Sequence, residues 1–386
     1  MKNKPFLSIC IPTYERVESL EIFLNSLIEE VKRYPHLVEI CVSDNGSKDG
    51  TYELLKRYAK KYSFVRIRRN ETNIGYDNNL IAVLEMANGE YCWTTNDHTG
   101  CYAHGSIKDL TKTLKKYKPI TCLLTKASFD KWYVHRAELF FQKEIYNNLG
   151  FIDAYANYVK AVRTDDPIIG YVSTYIFKKT ALKNVLSEIK KTKKPMYAWS
   201  HLIFFLRIIS TYKGKILVYK KKLLENPISP KKYKVFFPSE VIEAFMVNRI
   251  KSLNVLPINK RIKEAFLVFK KRNFPLAYTK ALIKLIVIKD LLDKELKNRN
   301  EVEKVLALGK YDFTLLDSVV IGFLRFVINN SILRKTAAYF LIKVPALRQL
   351  HEDVERYTKK ELSTSTERDL ILDLNKNWPK SVTKDF

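Results

Sequence analysis

The chain has 386 residues, 46% of them hydrophobic and 28% charged, with 11 Gly and 13 Pro; this allows two or three domains and excludes a fibrous or low-complexity chain. A formal charge of +27 points to a polyanionic partner, whether nucleic acid, an anionic membrane surface or phosphorylated ligands, with Lys-rich codon usage as the competing source. Five cysteines (Cys10, Cys41, Cys92, Cys101 and Cys122) form no CxxC pair or metal spacing, which predicts buried free thiols in a reducing compartment.

The elements follow in order. Phe6–Ile11 reads as a first strand, and Leu20, Phe23, Leu24, Leu27, Ile28 and Val31 recur at helical spacing. Leu37–Val42 is a second strand, Tyr52–Ala59 a second helix and Phe64–Ile67 a third strand. Leu80–Ala87 is a third helix, with Gly89 expected as its C-terminal cap. Tyr91–Trp93 is a fourth strand running into Thr94-Thr95-Asn96-Asp97-His98. Strand and helix alternating in this way predict a parallel sheet with right-handed crossovers. Residues 107–117 and 120–124 continue the pattern, and Ile168–Phe177 reads as a further strand.

After Pro238 the periodicity is helical throughout (238–254, 259–272, 275–298, 301–308, 314–328 and 332–343). The expected division is 1–235, an α/β domain; 236–360, a basic α-helical domain; and 361–386, a polar frayed tail. The amino-terminal MKNKPFLSIC lacks the apolar core of a signal peptide, and the most apolar stretch, Leu315–Ile328, carries Asp317 and Arg325. A soluble or membrane-peripheral protein is expected.

Two strands end abruptly in polar loops, Pro12-Thr13-Tyr14-Glu15-Arg16 and Ser43-Asp44-Asn45-Gly46-Ser47-Lys48-Asp49. In an open α/β sheet ligands bind beyond the carboxyl ends of the strands, so both loops should face one crevice. Together the strand–PTYER start, SDNGSKDGT, NIGYDNN, GEYCW before an acidic turn, and GYVSTYIFKKTAL resemble the family 2 glycosyltransferases. The NIGYDNNL…GEYCW wording is closest to the bacterial abequosyltransferase-like branch of O-antigen and surface-polysaccharide synthesis. The resemblance implies a GT-A fold, a Rossmann-like mixed sheet, with an α-helical domain after it.

It also implies roles. Asp44 would accept a hydrogen bond from the nucleotide base, with an Asx-turn as the competing reading. Pro12, Thr13, Tyr14, Glu15 and Asn45 would line base and ribose, although Thr13 and Glu15 also suit a turn or helix N-cap. Asp49 is read equally as a site residue or a cap. Asn73 and Gly75 would set the third helix beside the diphosphate, with Asn79 at the family's usual Asn; Asn78 stands where relatives often carry Arg.

Asn96-Asp97-His98-Thr99 occupies the place of an Asp-x-Asp. Asp97, with His98, would hold Mn²⁺ or Mg²⁺ against the leaving diphosphate. Cation-free transfer aided by Lys or Arg, and a weakened enzyme, remain alternatives. Counting back from Arg207 puts Ser200-His201 where relatives have a Glu-Asp pair, making His201 the expected general base. Asp165 and Asp166 are the rivals.

Between Lys231 and Arg299 stand 17 Lys/Arg against 6 Asp/Glu. Lys260, Arg261, Lys263, Lys270, Lys271 and Arg272 interleave with Ile262, Ala265, Phe266, Val268 and Phe269, a cationic amphipathic helix. It could lie on an anionic membrane or pack on the first domain with a solvated outer face. No zinc spacing, RNP strand or KH loop supports nucleic-acid binding. The expectation is an inverting transferase at the cytoplasmic face of a bacterial membrane, moving a sugar from a nucleotide diphosphate to a lipid-linked or polymeric glycan. The rival is a catalytically weakened scaffold of a polysaccharide assembly complex.

Overall fold

The computed structural model describes residues 4–97, 101–125, 137–162, 167–226, 247–295 and 315–341. The chain divides into two compact units, one of Met1–Lys231 with Asn248–Phe269, the other of Lys232–Val247 with Lys270–Phe386.

The first unit is built on an eight-stranded mixed sheet of order β3-β2-β1-β4-β8-β6-β9-β7. Its strands are β1 (Leu7–Thr13), β2 (Val38–Asp44), β3 (Val65–Arg69), β4 (Tyr91–Thr94), β6 (Thr121–Leu124), β7 (Ile145–Tyr146), β8 (Tyr175–Lys178) and β9 (Ile216–Tyr219). A separate antiparallel pair joins β5 (Cys101–Tyr102) to β10 (Leu224–Asn226). β3, β2, β1 and β4 are mutually parallel, whereas β8 runs antiparallel between β4 and β6. The chain winds outward from β1 to β3 and then returns to lay β4 on the other side of β1. The strand order reverses at β1, and in open α/β sheets ligands bind beyond the carboxyl ends of the strands at such a reversal.

The core explains why these segments are strands and helices. Leu7, Ile9, Ile11, Val38, Ile40 and Val42 are fully buried, as suits strands covered on both faces. Helix α1 (Val17–Val31) buries Leu20, Phe23, Leu24, Leu27, Ile28 and Val31 on one stripe, the spacing read from the sequence. Helices α2 (Thr51–Lys61), α3 (Tyr76–Met86) and α4 (Ser106–Tyr117) follow the same logic. Cys10, Cys41, Cys92 and Cys122 are buried free thiols.

Four expectations change. Gly89 is not a left-handed cap, because α3 ends at Met86 and Ala87 is extended. It is required by close packing instead: a Cβ there would lie 2.6 Å from both the backbone nitrogen and Oγ of Ser8. Ile168–Phe177 is a strand only from Tyr175; Pro167–Gly170 and Val172–Thr174 are short helical turns, and a short apolar run does not distinguish the two. Lys260–Glu295 is one helix with Pro275 inside it, where a break was expected. Strands β5, β7, β9 and β10 were not anticipated, being only two to four residues long.

The cationic helix buries Ile262, Ala265, Phe266 and Phe269 within the first unit, while Val268 is exposed. Arg261 pairs with Asp153 at 2.5 Å. Its apolar stripe thus packs inward, and its outer face carries Leu267 and Val268 among the basic side chains. In the second unit, Arg325 donates to the Tyr278 hydroxyl at 2.8 Å and lies over that ring, which stacks on Phe274. Among the described residues no helix is long and apolar enough to cross a membrane. The 361–386 tail lies outside the described residues.

Candidate functional site

Thr13 ends β1 and pairs in register with Asp44, the last residue of β2. On its other side, its hydroxyl donates to Asp97 Oδ2 at 2.8 Å, just beyond β4. One threonine therefore stands between the two aspartates singled out in the sequence, and all three side chains are buried.

Asp44 is held asymmetrically. Its Oδ1 accepts from the Ser47 amide at 3.2 Å and from the Ser47 hydroxyl. Its Oδ2 is buried without a hydrogen-bond partner, with Arg69 Nε 3.6 Å away. Burial raises the Asp44 pKa, opposed by the Ser47 hydrogen bonds and Arg69. The Arg69 guanidinium lies 4.9 Å over the Tyr52 ring and donates to the Ser47 carbonyl at 2.9 Å. Ser47, Arg69 and Tyr52 were not anticipated as neighbours of Asp44; the basic end of β3 was the available signal.

The asparagines form a brace. Asn79 Oδ1 accepts from the Ser43 hydroxyl at 2.6 Å and Asn70 Nδ2 at 3.0 Å, while its Nδ2 donates to the carbonyls of Ser43 (3.0 Å) and Thr13 (3.3 Å). Those four bonds use the amide's capacity, so Asn79 ties β1 to β2. Asn45 Oδ1 accepts from the Ile74 amide and Asn70 Nδ2, each at 3.1 Å, and its Nδ2 donates to Asn73 Oδ1 at 2.7 Å. Asn73 closes an Asx-turn onto the Gly75 amide at 2.9 Å. Gly75, at φ +82°, begins α3 in a conformation L side chains rarely adopt. Asn45, Asn73, Gly75 and Asn79 are thus brought together chiefly to aim the first turn of α3.

Glu15 takes φ +51°. Its amide donates to Ser47 Oγ at 2.9 Å, and its Oε1 accepts from the Lys48 amide at 2.7 Å, so the first two loops are laced together. Burial raises the Glu15 pKa. Asp49 resolves as a cap: its oxygens accept from the Val17 amide and from Thr51 at the starts of α1 and α2. Pro12, at the end of β1, and Asn96, before Asp97, are half-buried at the same edge; Tyr14 follows Thr13. His98, Asp165 and Asp166 lie outside the described residues.

The opposite wall joins α3 to the helix Ser200–Thr211. Asp77 accepts from the amides of Ala198 at 2.8 Å and Ser200 at 3.2 Å. Tyr197 and Ala198 sit at φ +58° and +63°, and left-handed non-glycine backbone costs roughly 1–2 kcal/mol per residue. His201 is buried, with Nε2 3.2 Å from the Gly170 carbonyl and Nδ1 3.4 Å from the Tyr76 hydroxyl. With Nε2 protonated, the ring donates to Gly170 and accepts from Tyr76. Its pKa is depressed to about 4, chiefly by burial and with a smaller lowering from nearby Arg249, against the raising effect of the Gly170 hydrogen bond. Both nitrogens have protein partners, and such a ring holds a proton weakly at neutral pH, which weighs against the general-base role expected of His201. A carboxylate does stand at the start of this helix, where the sequence itself has Ser200-His201: Asp77, from a different segment.

Among the described residues no group of three His, Cys, Asp or Glu side chains is placed to hold a metal ion. Asp97 alone of the expected pair is described, with one oxygen engaged by Thr13. A cation there would need further ligands, and phosphate oxygens suit hard divalent ions.

Comparison with known proteins places this arrangement. Residues 8–182 match the family described as Glycosyl transferase family 2, which spans β1 to β4, β8 and both aspartates. That stretch, just under half of the chain, is similar to a family 2 glycosyl transferase domain. The chain is also similar to abequosyltransferase RfbV of Salmonella typhimurium, 48% identical over 88 residues, 22% of this chain and 26% of that protein. Glycosyltransferase AglE of Haloferax volcanii is 25% identical over 170 residues, 38% of this chain and 55% of that protein. The chain thus spans about a quarter and about half of these relatives' lengths. Among solved structures, the mannosyltransferase PcManGT of Pyrobaculum calidifontis, in complex with GDP-Man and Mn²⁺, is 15% identical with a TM-score of 0.50. That match covers 90% of this chain and 87% of the other, a likeness of fold.

Proposed function

We propose that the protein transfers a sugar from a nucleotide-diphosphate donor to a hydroxyl of a lipid-linked glycan or surface polysaccharide, in a single inverting displacement. The observation that supports this reading is Thr13 between Asp44 and Asp97, two carboxylates at the ends of the strands flanking β1, of which we assign the first to the base and the second to the phosphates. Asp44 Oδ2, buried and without a hydrogen-bond partner, suits an N–H of the base. Asp97 would lie at the diphosphate, sharing Mn²⁺ or Mg²⁺ with it, and His98 is the second proposed ligand. That cation would neutralise charge on the leaving group.

In the displacement the acceptor oxygen attacks the anomeric carbon, the bond to the diphosphate breaks, and a base takes the hydroxyl proton. With His201 disfavoured, Asp166 is the carboxylate proposed for that proton. The similarity to abequosyltransferase RfbV supports a surface-polysaccharide acceptor, and the charge of +27 supports peripheral attachment to the cytoplasmic face of an anionic membrane. The burial of His201 favours one second reading, a transferase-like scaffold that binds nucleotide without turnover.

A thermal-shift screen of UDP, GDP, CDP and dTDP with and without Mn²⁺ tests the binding claim. A ligand of the folded state stabilises it by about 2.7 kcal/mol at a hundredfold excess over Kd. No shift with any nucleotide ends this reading; a shift without release of diphosphate from the matching nucleotide sugar selects the scaffold.

A further inference from the structure

We infer that Asp77 is a positioning residue, holding the strained Tyr197-Ala198 turn against α3 and thereby setting the acceptor-side wall of the site. The inference rests on the proposed transferase reading for its catalytic consequence, but not for its geometry.

Three observations converge. Asp77 reaches across 121 and 123 residues of sequence to accept from the Ala198 and Ser200 amides. Both donors belong to the turn and the first residue of the helix Ser200–Thr211, where backbone N–H groups lack helical partners and a carboxylate is favoured. The turn they define contains two consecutive non-glycine residues at positive φ. Such backbone persists only where its surroundings over-determine it, and it concentrates at functional sites. Finally, the preceding residue, Tyr76, points its hydroxyl at His201 Nδ1, 3.4 Å away, while its ring remains partly exposed.

Consecutive residues of α3 therefore grip the same segment twice, by carboxylate to backbone and by hydroxyl to imidazole. The first turn of α3 is itself fixed from the donor side by Asn45, Asn73 and Asn79. Asp77 is the link that carries this placement across to residues 197–201. Trp199, within the turn, is in turn stacked under the Arg249 guanidinium at 4.4 Å, so a released turn would take that contact with it.

The test compares full-length wild type, Asp77→Asn and Asp77→Asn/Ala198→Gly. An amide in place of the carboxylate loses one acceptor, whereas glycine removes the strain that the clamp opposes. Hydrogen exchange at the 198 and 200 amides should accelerate at least tenfold in Asp77→Asn, with UDP or GDP affinity within twofold of wild type. Release of nucleoside diphosphate from UDP-GlcNAc or GDP-Man should fall tenfold or more, and Ala198→Gly should restore most of it. Unchanged exchange in Asp77→Asn, or lost turnover that Ala198→Gly leaves unrestored, would overturn the inference. Wild type that binds no nucleotide would instead overturn the transferase reading, while the exchange result still judges the clamp.

Discussion

Thr13 and Asp97 are 84 residues apart in the chain, yet the threonine hydroxyl donates to the carboxylate over 2.8 Å in a buried setting. The contact exists because β1 lies between β2 and β4, so that Thr13 is flanked by Asp44 on one side and the Asp97 turn on the other. A hydrogen bond to a charged group is worth about 1.5–3 kcal/mol, enough to hold the Asp97 carboxylate in one orientation beside the end of β1.

Replacing Thr13 by Val removes that donor while keeping a branched side chain. Turnover of the matching nucleotide sugar should drop about tenfold or more, in line with the hydrogen bond lost. Thr13→Ser, which keeps the hydroxyl, should stay near wild type. Steady-state release of nucleoside diphosphate reads both variants; equal rates for Val and wild type would contradict the role given to this contact.

Asp44→Asn should weaken nucleotide binding by about 10- to 100-fold, since an NH₂ at the Oδ2 position cannot accept from a base N–H. Titration calorimetry with the nucleotide chosen by the thermal screen measures this directly. Affinity that survives the change would place the base elsewhere.

Acidification should expose the burial of His201. Its pKa of about 4 in the folded protein lies below the ordinary value near 6.5. The unfolded chain therefore binds more protons between these values, and stability falls as pH drops through that window. By pH 5 the loss from this group is about 2 kcal/mol, and above pH 7 it vanishes. Urea unfolding of wild type and His201→Gln at pH 7.5 and 5.0 should show the smaller pH dependence in the variant. Parallel behaviour of the two would mean the imidazole is not desolvated.

Two glycines should respond differently to alanine. At Gly89 the new Cβ would lie 2.6 Å from the Ser8 backbone nitrogen, a clash that must move β1 and should cost about 3 kcal/mol or more. At Gly105, φ is +75° and nothing lies within 4 Å, so the cost is the left-handed backbone alone, about 1–2 kcal/mol. Chemical denaturation of both variants should rank them in that order.

The alternation of strands and helices up to β6 was legible because each element repeats its apolar residues at a period of its own, as Leu20 to Val31 do for α1. The polar loops after β1 and β2 were legible for the same reason: an apolar run stops abruptly at a strand end. Other features had no local signature. Ile168 and Ile169 are as apolar as any strand yet begin a helical turn, and Pro275 sits inside an unbroken helix. Asp49 offered two readings with nothing nearby in sequence to choose between them, and the choice came from Val17, 32 residues away. The burial of His201, which weighs against its expected role as base, had no signature among its neighbours in sequence.

What the chain's own order of residues determined is the set of elements and the strand ends that carry Thr13, Asp44 and Asp97, because periodicity and chain breaks are properties of neighbours in sequence. What the tertiary structure alone decided is which polar groups are already satisfied. Asn45 and Asn79 proved to be braces, Asp44 kept one acceptor in reserve, and Asp77 arrived at the helix start where Ser200-His201 stands. Hydrogen-bond saturation and desolvation depend on partners a hundred residues distant, and only the packed sheet brings those partners within 3 Å.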